Sequence, residues 1–447
     1  MSKAFLKKGG GEMSTMVNIR TDKLHPEASE LKKFLSERLM GQQLAIERIV
    51  SSFNLSLSPL KDPQTPIFVG LFLGGTGTGK TYTAELVAEF LSGKKDGMTK
   101  ILGPDFSQDH LITSLTGSSH SYVGYDDPPI LTQDNIDSYV KRHRMMVAYK
   151  KNARVRELMN ELSKTANILR SKDEKLPEWD EFFEHYKNLD SSLKIQIDII
   201  FNREPIRSVI LIDEFEKSSH ALWNLLLEIS SKGQIAIKGK YAEIVSFKNS
   251  FIFLTSNLAS DKLASMAKNG QTSIGFGTSK SDKNINWHIA VDKLRKVIPP
   301  ELFNRIEENT IVFKQPSADE LKAIMNLEFK EITDFLWKNQ RIFLRASNEL
   351  LEFIFKKSSD HPEFGGRQAR KRIKKYIREK LAGPLNSGDI RRGDVIFADI
   401  NKKTGMIVFQ KDMSKSSIRE VDGIEIEEAF FDPDEDEEKV PDIFGSD

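Results

Sequence analysis

The segment GGTGTGKT, Gly74 to Thr81, constrains the fold of this chain more than any other stretch. It stands between the apolar run PIFVGLFL and the helix-patterned TYTAELVAEFLSG, and its spacing is G-x-x-x-x-G-K-[S/T]. Glycines at that density admit backbone conformations closed to other residues, so the chain turns sharply and aims successive N–H groups at one point. A buried strand, a glycine loop and a helix ending near Gly93 make one strand–helix unit, the building block of a parallel sheet covered by helices. Two further apolar runs, SVILIDE at 208–214 and SFIFLTSN at 250–257, have strand length and end in polar residues. In an open parallel sheet the carboxyl ends of the strands are where ligands bind. The expected fold class is α/β.

The chemistry follows from the residue types at those ends. Backbone N–H groups of Gly74, Gly75, Thr76, Gly77, Thr78 and Gly79 are expected to face phosphates, Lys80 to reach the β/γ-phosphates of ATP, and Thr81 to ligate Mg2+. Asp213 is expected to hold the Mg2+ shell, and Glu214 beside it to polarise an attacking water. Asn257, ending the third strand, is expected to orient that water or touch the γ-phosphate; a cap or turn role is the alternative. Arg305, in PPELFNRIEENTIVF, and Arg367, in FGGRQARKRIKK, are candidates for neutralising phosphoryl charge, since that reaction is catalysed mainly by positioning and charge. A surface ion pair is the alternative for either arginine.

At 447 residues the chain has room for two or three structural units. Its 66 Lys and Arg balance 65 Asp and Glu to a net charge of +1, which argues against a binder that depends on neutralising nucleic-acid phosphates. With no cysteine, disulfides, thiol catalysis and cysteine metal sites are excluded. The apolar runs are too short to cross a membrane, and the expected location is the cytoplasm. Along the chain, 1–25 reads as a flexible leader and 26–315 as a large α/β domain, with helices from Pro26 interrupted at Met40-Gly41. Within it, the highly charged stretch 133–204 reads as a helical insertion. Residues 316–411 read as a smaller, mostly helical lid, helical through Lys380 and then strand-like at DVIFADI and GMIVFQ. The acidic tail 412–447 reads as disordered.

Taken together, LMGQQLAIERIV, GGTGTGKT, SYVGYDDPPILT, VILIDEFEK, FKNSFIFLTSNLAS, IPPELFNRI and FGGRQARK resemble, in order, the motifs of the Clp-family AAA+ ATPases. The likeness is to the second ATPase module of ClpA, ClpB and ClpC, and it covers about residues 27–410 outside the insertion. The resemblance implies an AAA+ P-loop NTPase with a helical lid. It makes Lys80 and Thr81 the Walker A residues, Asp213 and Glu214 the Walker B pair, Asn257 sensor 1 and Arg367 sensor 2. Arg305 becomes the finger that acts on a neighbouring subunit's nucleotide, and Leu39 and Met40 lie where the family forms its adenine pocket. A finger acting in trans implies a closed ring, usually a hexamer.

Within SYVG, Tyr122 and Val123 match the family's pore loop, whose aromatic grips an extended polypeptide; packing at a subunit interface is the alternative. Gly75 and Ser121 replace the family's usual Pro and Gly, and Asp126-Asp127-Pro128-Pro129 replaces its glycine-rich continuation. The insertion adds roughly 60 residues, a size associated with function or docking. Ile274, Gly275 and Phe276 resemble the loop that docks onto a ClpP-type peptidase. The resemblance therefore implies an ATP-dependent protein unfoldase or remodelling chaperone. With one such module, the ring would act singly, recruit through its insertion or tail, or depend on an adaptor. The rival readings are a nucleic-acid-dependent AAA+ motor, supported by VKRHR and RKRIKK, and an ATP-controlled scaffold or switch.

Overall fold

The three long apolar runs carry no clean polar alternation, which is what strands covered on both faces require. The computed structural model of the chain describes residues 23–118, 125–151, 205–258, 295–359, 365–401 and 404–412, with a short strand pair at Ala4–Phe5 and Thr15–Met16. Strands β1 (Phe68–Leu73), β2 (Thr99–Leu102), β3 (Ser208–Asp213), β4 (Ser250–Ser256) and β5 (Thr310–Val312) form one parallel sheet in the order β2-β3-β4-β1-β5. Leu73 pairs with Ser256 and Ile212 with Leu254, so β1, β3 and β4 end almost level.

Alternate residues feed two cores. Phe68, Phe72, Val209, Leu211, Phe251 and Phe253 pack with α1 (Pro26–Arg38), α2 (Gln43–Ser56) and α3 (Lys80–Ser92). Leu71, Leu73, Ile210, Ile212, Ile252 and Leu254 pack on the other face with α5 (His220–Lys232) and α6 (Pro300–Ile306). Helix α4 (Gln133–Lys151) contributes Ile136 to this second core, and its Val140 and Met145 are also buried. Residues 133–151, expected within the insertion, thus form a helix that is integral to the core; the remainder of the insertion, 152–204, lies outside the described residues.

The described residues form two compact units, one within 1–330 and 352–378, the other within 331–351 and 379–447. Two helices cross that division, α7 (Ala318–Gln340) and α8 (Asn348–Ser359). The first unit also holds α9 (Gly365–Ile373), which runs into a π-helical turn at Lys374–Arg378 and then α10 (Glu379–Ser387) in the second. The second unit contains a sheet of β6 (Phe343–Ala346), β7 (Val395–Ile400) and β8 (Ile407–Lys411). β7 and β8 were expected; β6 corrects the reading of continuous helix through Lys380. Arg341 takes a left-handed φ of 55°, ending α7, and Phe343 pairs in parallel with Val395, a partner no local pattern reveals. Among the described residues no helix is long and apolar enough to cross a membrane.

Candidate functional site

The glycine loop leaves β1 at Gly74, whose φ of 148° suits glycine, and enters α3 at Gly79, with φ 102°. A Cβ at Gly74 would stand 2.7 Å from the Phe313 carbonyl oxygen. The loop is therefore pressed against the chain beyond β5, where Phe313 N–H donates to Leu73 O at 2.7 Å. Thr78 Oγ1 donates to Gly75 O at 3.0 Å, closing the loop on itself, while Thr76 is exposed and Gly77 half-buried.

Lys80 is buried, with its ammonium inside the loop. Nζ donates to Gly74 O at 2.7 Å, Gly75 O at 2.8 Å and Asn257 Oδ1 at 3.0 Å. Burial pushes its pKa down to about 8, against the opposing pull of Asp213, Glu216 and Glu214.

Asp213, at the end of β3, is the centre of the acidic side. Its Oδ1 accepts from the Thr255 hydroxyl and, at 3.3 Å, from Thr81 Oγ1; its Oδ2 is 3.6 Å from Lys100 Nζ. Glu214 has a left-handed backbone, φ 54° and ψ 43°, uncommon for a residue with a side chain and a feature of functional sites. Its N–H donates to Thr255 Oγ1 at 3.2 Å, and its Oε2 accepts from Lys217 Nζ at 2.8 Å. Glu216 Oε1 accepts the Asn257 N–H at 3.1 Å, while Glu216 Oε2 is buried without a hydrogen-bond partner.

Two hydrogen-bonded pairs, Lys80 with Asn257 and Thr81 with Asp213, thus stand side by side, with Glu214 next in the chain. Leu39 caps α1, buried, its Cδ1 3.4 Å from where a Cβ on Gly79 would lie, and Met40 beside it is half-buried. Arg305 is exposed in the last turn of α6 and Arg367 exposed in the first turn of α9. Neither makes a hydrogen bond in the Lys80–Asp213 cluster. Tyr122, Val123, Ile274, Gly275 and Phe276 lie outside the described residues.

Three contributors escaped the sequence reading. Gln42, buried between α1 and α2, donates to Thr78 O at 3.2 Å and Lys314 O at 2.9 Å, tying the loop to the strand β5 side. Thr255 shares the Asp213 carboxylate, and Glu216 anchors the Asn257 backbone. The only signal in the sequence was their place at a helix break or a strand end.

The donor set fits a magnesium–triphosphate group. A cation held at about 8 by burial regains a counter-charge when an anion enters, and the Thr81 hydroxyl and Asp213 carboxylate are adjacent hard oxygen donors of the kind Mg2+ takes alongside phosphate.

The chain is similar to known AAA-domain proteins. A family profile described as AAA domain (Cdc48 subfamily) matches residues 65–147 and 197–309. A second, described as the C-terminal, D2-small domain of ClpB protein, matches 317–398. The first match is interrupted at 148–196, after most of α4. The chaperone protein ClpB of Oceanobacillus iheyensis is 26% identical over 401 residues, 89% of this chain and 40% of the relative. ClpB of Bacteroides thetaiotaomicron is 28% identical over 88% of this chain and 36% of its own length. The chloroplastic ClpC2 of Arabidopsis thaliana is 24% identical over 94% and 37% respectively. The chain spans about two fifths of the length of these relatives.

Proposed function

This chain belongs to the Clp family of AAA+ ATPases, and from that membership we propose that it couples Mg2+-dependent ATP hydrolysis to threading of polypeptide through the pore of a homo-hexamer, as an unfoldase or remodelling chaperone. The observation that carries the reading is the pair of hydrogen bonds, Lys80 to Asn257 and Thr81 to Asp213, at the ends of three neighbouring strands.

On this reading, Lys80 exchanges the carbonyls of Gly74 and Gly75 for β/γ-phosphate oxygens, while the loop N–H groups bind the rest of the chain of phosphates. Thr81 and Asp213 would hold Mg2+, which when bound neutralises phosphate charge and polarises the terminal phosphoryl group. Glu214 takes the proton of the attacking water, leaving Lys217 to do so, and Asn257 orients that water. Leu39 and Met40 flank the adenine. Arg305, exposed on its own chain, stabilises charge at a neighbour's nucleotide, and Arg367 does so from α9.

Tyr122 and Val123 grip substrate, whose sequence an aromatic face does not need to read. Ile274, Gly275 and Phe276 would dock a ClpP-type peptidase, or an adaptor would define the ring's targets. The cytoplasm is the compartment proposed for this work.

The test is ATP-driven unfolding of a tagged fluorescent protein, with hydrolysis measured in parallel. Tyr122→Ala should hydrolyse ATP and unfold nothing. Glu214→Gln should bind ATP with hydrolysis lowered at least ~100-fold. Hydrolysis stimulated by nucleic acid and falling steeply with salt, with no unfolding by wild type, would overturn the threading reading in favour of a nucleic-acid motor.

A further inference from the structure

Of the three arginines of helix α9, Arg367 and Arg370 stand one turn apart and have different surroundings. Arg367 is exposed. The Arg370 guanidinium lies over the ring of Tyr82, 3.6 Å from its centroid, and Tyr82 stands on α3 two residues after Lys80. Lys95 Nζ is 5.6 Å from the same ring, so Arg370 is much the closer cation.

One carboxylate pairs with Arg370, and a second feels its charge. Glu328, on α7 and only 7% exposed, has Oε2 3.9 Å from Arg370 Nε and Oε1 3.4 Å from Lys374 Nζ. Half-buried Glu85, one turn beyond Tyr82 on α3, is raised in pKa by burial and drawn back chiefly by Arg370. A guanidinium held over one ring and paired with a buried carboxylate has little freedom.

The start of the same helix meets the phosphate loop itself. Gly366 N–H donates to Gly77 O at 3.0 Å, and a Cβ on Gly365 would stand 2.9 Å from that oxygen. Helix α9 therefore touches the loop with its first residues and the first turn of α3 with Arg370, like a splint across the loop–helix junction.

We propose that Arg370 is a positioning residue for nucleotide binding: stacked on Tyr82, it holds α9 across the start of α3 so that Gly366 keeps the Gly77 carbonyl, and with it the phosphate loop, in its binding shape. The assignment rests on reading Gly74–Thr81 as the ATP site. Arg370 acts through Tyr82 and Gly366 and is not itself required to touch phosphate, unlike the role given to Arg367.

The experiment pairs two readouts on the full chain. The first is affinity for a fluorescent, hydrolysis-resistant ATP analogue. Arg370→Gln and Tyr82→Leu should each weaken it roughly three- to thirty-fold, the range of a partly desolvated cation–π contact. The double variant should cost no more than the worse single one, and Tyr82→Phe, keeping the ring, should restore wild-type affinity. The second is amide hydrogen exchange in nucleotide-free protein. Both disruptive variants should expose the Gly366 amide while β4 amides keep their protection, which general destabilisation would not produce. Additive losses of affinity, or an unchanged Gly366 amide, would overturn the proposal. A wild type that binds no nucleotide would instead bring down the ATP-site reading, while the exchange data would still report on the splint.

Discussion

Enclosing the Lys80 ammonium among two loop carbonyls and the Asn257 amide oxygen takes a cation out of water without giving it a full counter-charge. Its pKa falls from 10.5 to about 8. Between those values the unfolded chain binds more protons than the folded one, so folding stability rises with pH through that window. Urea unfolding of nucleotide-free protein should show wild type gaining on Lys80→Met from pH 8 to pH 10.5; a constant difference would mean that Lys80 is not desolvated. A bound phosphate acts in the opposite direction, favouring the charged form, so ATP affinity should fall as pH rises above about 8. Lys80, Thr81, Asp213 and Glu214 were legible in the sequence because their spacing within short motifs is itself the signal. Gln42 was not: its partners, Thr78 O and Lys314 O, belong to segments far apart in the chain.

The elements were legible in proportion to their length and burial. β1, β3 and β4 each read as a continuous apolar run because helices cover both faces of the sheet. β2, with alternate residues exposed, and β6, four residues long, did not rise above the background. Helix α4 looked like part of a charged insertion because its three core residues, Ile136, Val140 and Met145, are diluted by charge. The two cores should behave separately under mutation. Leu226 of α5 is buried on the face opposite α3, so Leu226→Ala should cost about 2–5 kcal/mol in denaturant unfolding while leaving ATP-analogue affinity at its wild-type value. Loss of affinity in a chain that remains folded would mean that the sheet transmits packing changes from one face to the other.

At the scale of the whole molecule, a site built from one chain lacks one of its proposed parts. Arg305 is exposed and outside the Lys80–Asp213 cluster, which is the arrangement an arginine needs in order to serve a neighbour. Mixing Arg305→Ala chains with Lys80→Ala chains should therefore restore hydrolysis that neither has alone, because some interfaces then pair an intact loop with an intact arginine. No recovery in an assembly shown to contain both chains would remove Arg305 from the trans role. The likeness to the Clp family was legible from seven motifs in order, and the two family profiles cover six of them, all but LMGQQLAIERIV at 39–50. The first profile breaks at 148–196, within the stretch 133–204 that composition had set apart as one block, since charge content does not mark where a core helix ends.

What the sequence determined by itself is the part of this protein whose cause is local. A glycine loop between a buried strand and a helix turns and gathers N–H groups by virtue of its own covalent geometry, whatever surrounds it. The tertiary structure alone decided which distant groups meet there: Gln42 beneath Thr78, Thr255 on Asp213, Glu216 under Asn257, and Arg370 rather than Arg367 against α3. Such contacts depend on strand order, register and the direction in which each helix presents its side chains. Residues remote in the chain acquire those relations only when the sheet and its covering helices pack.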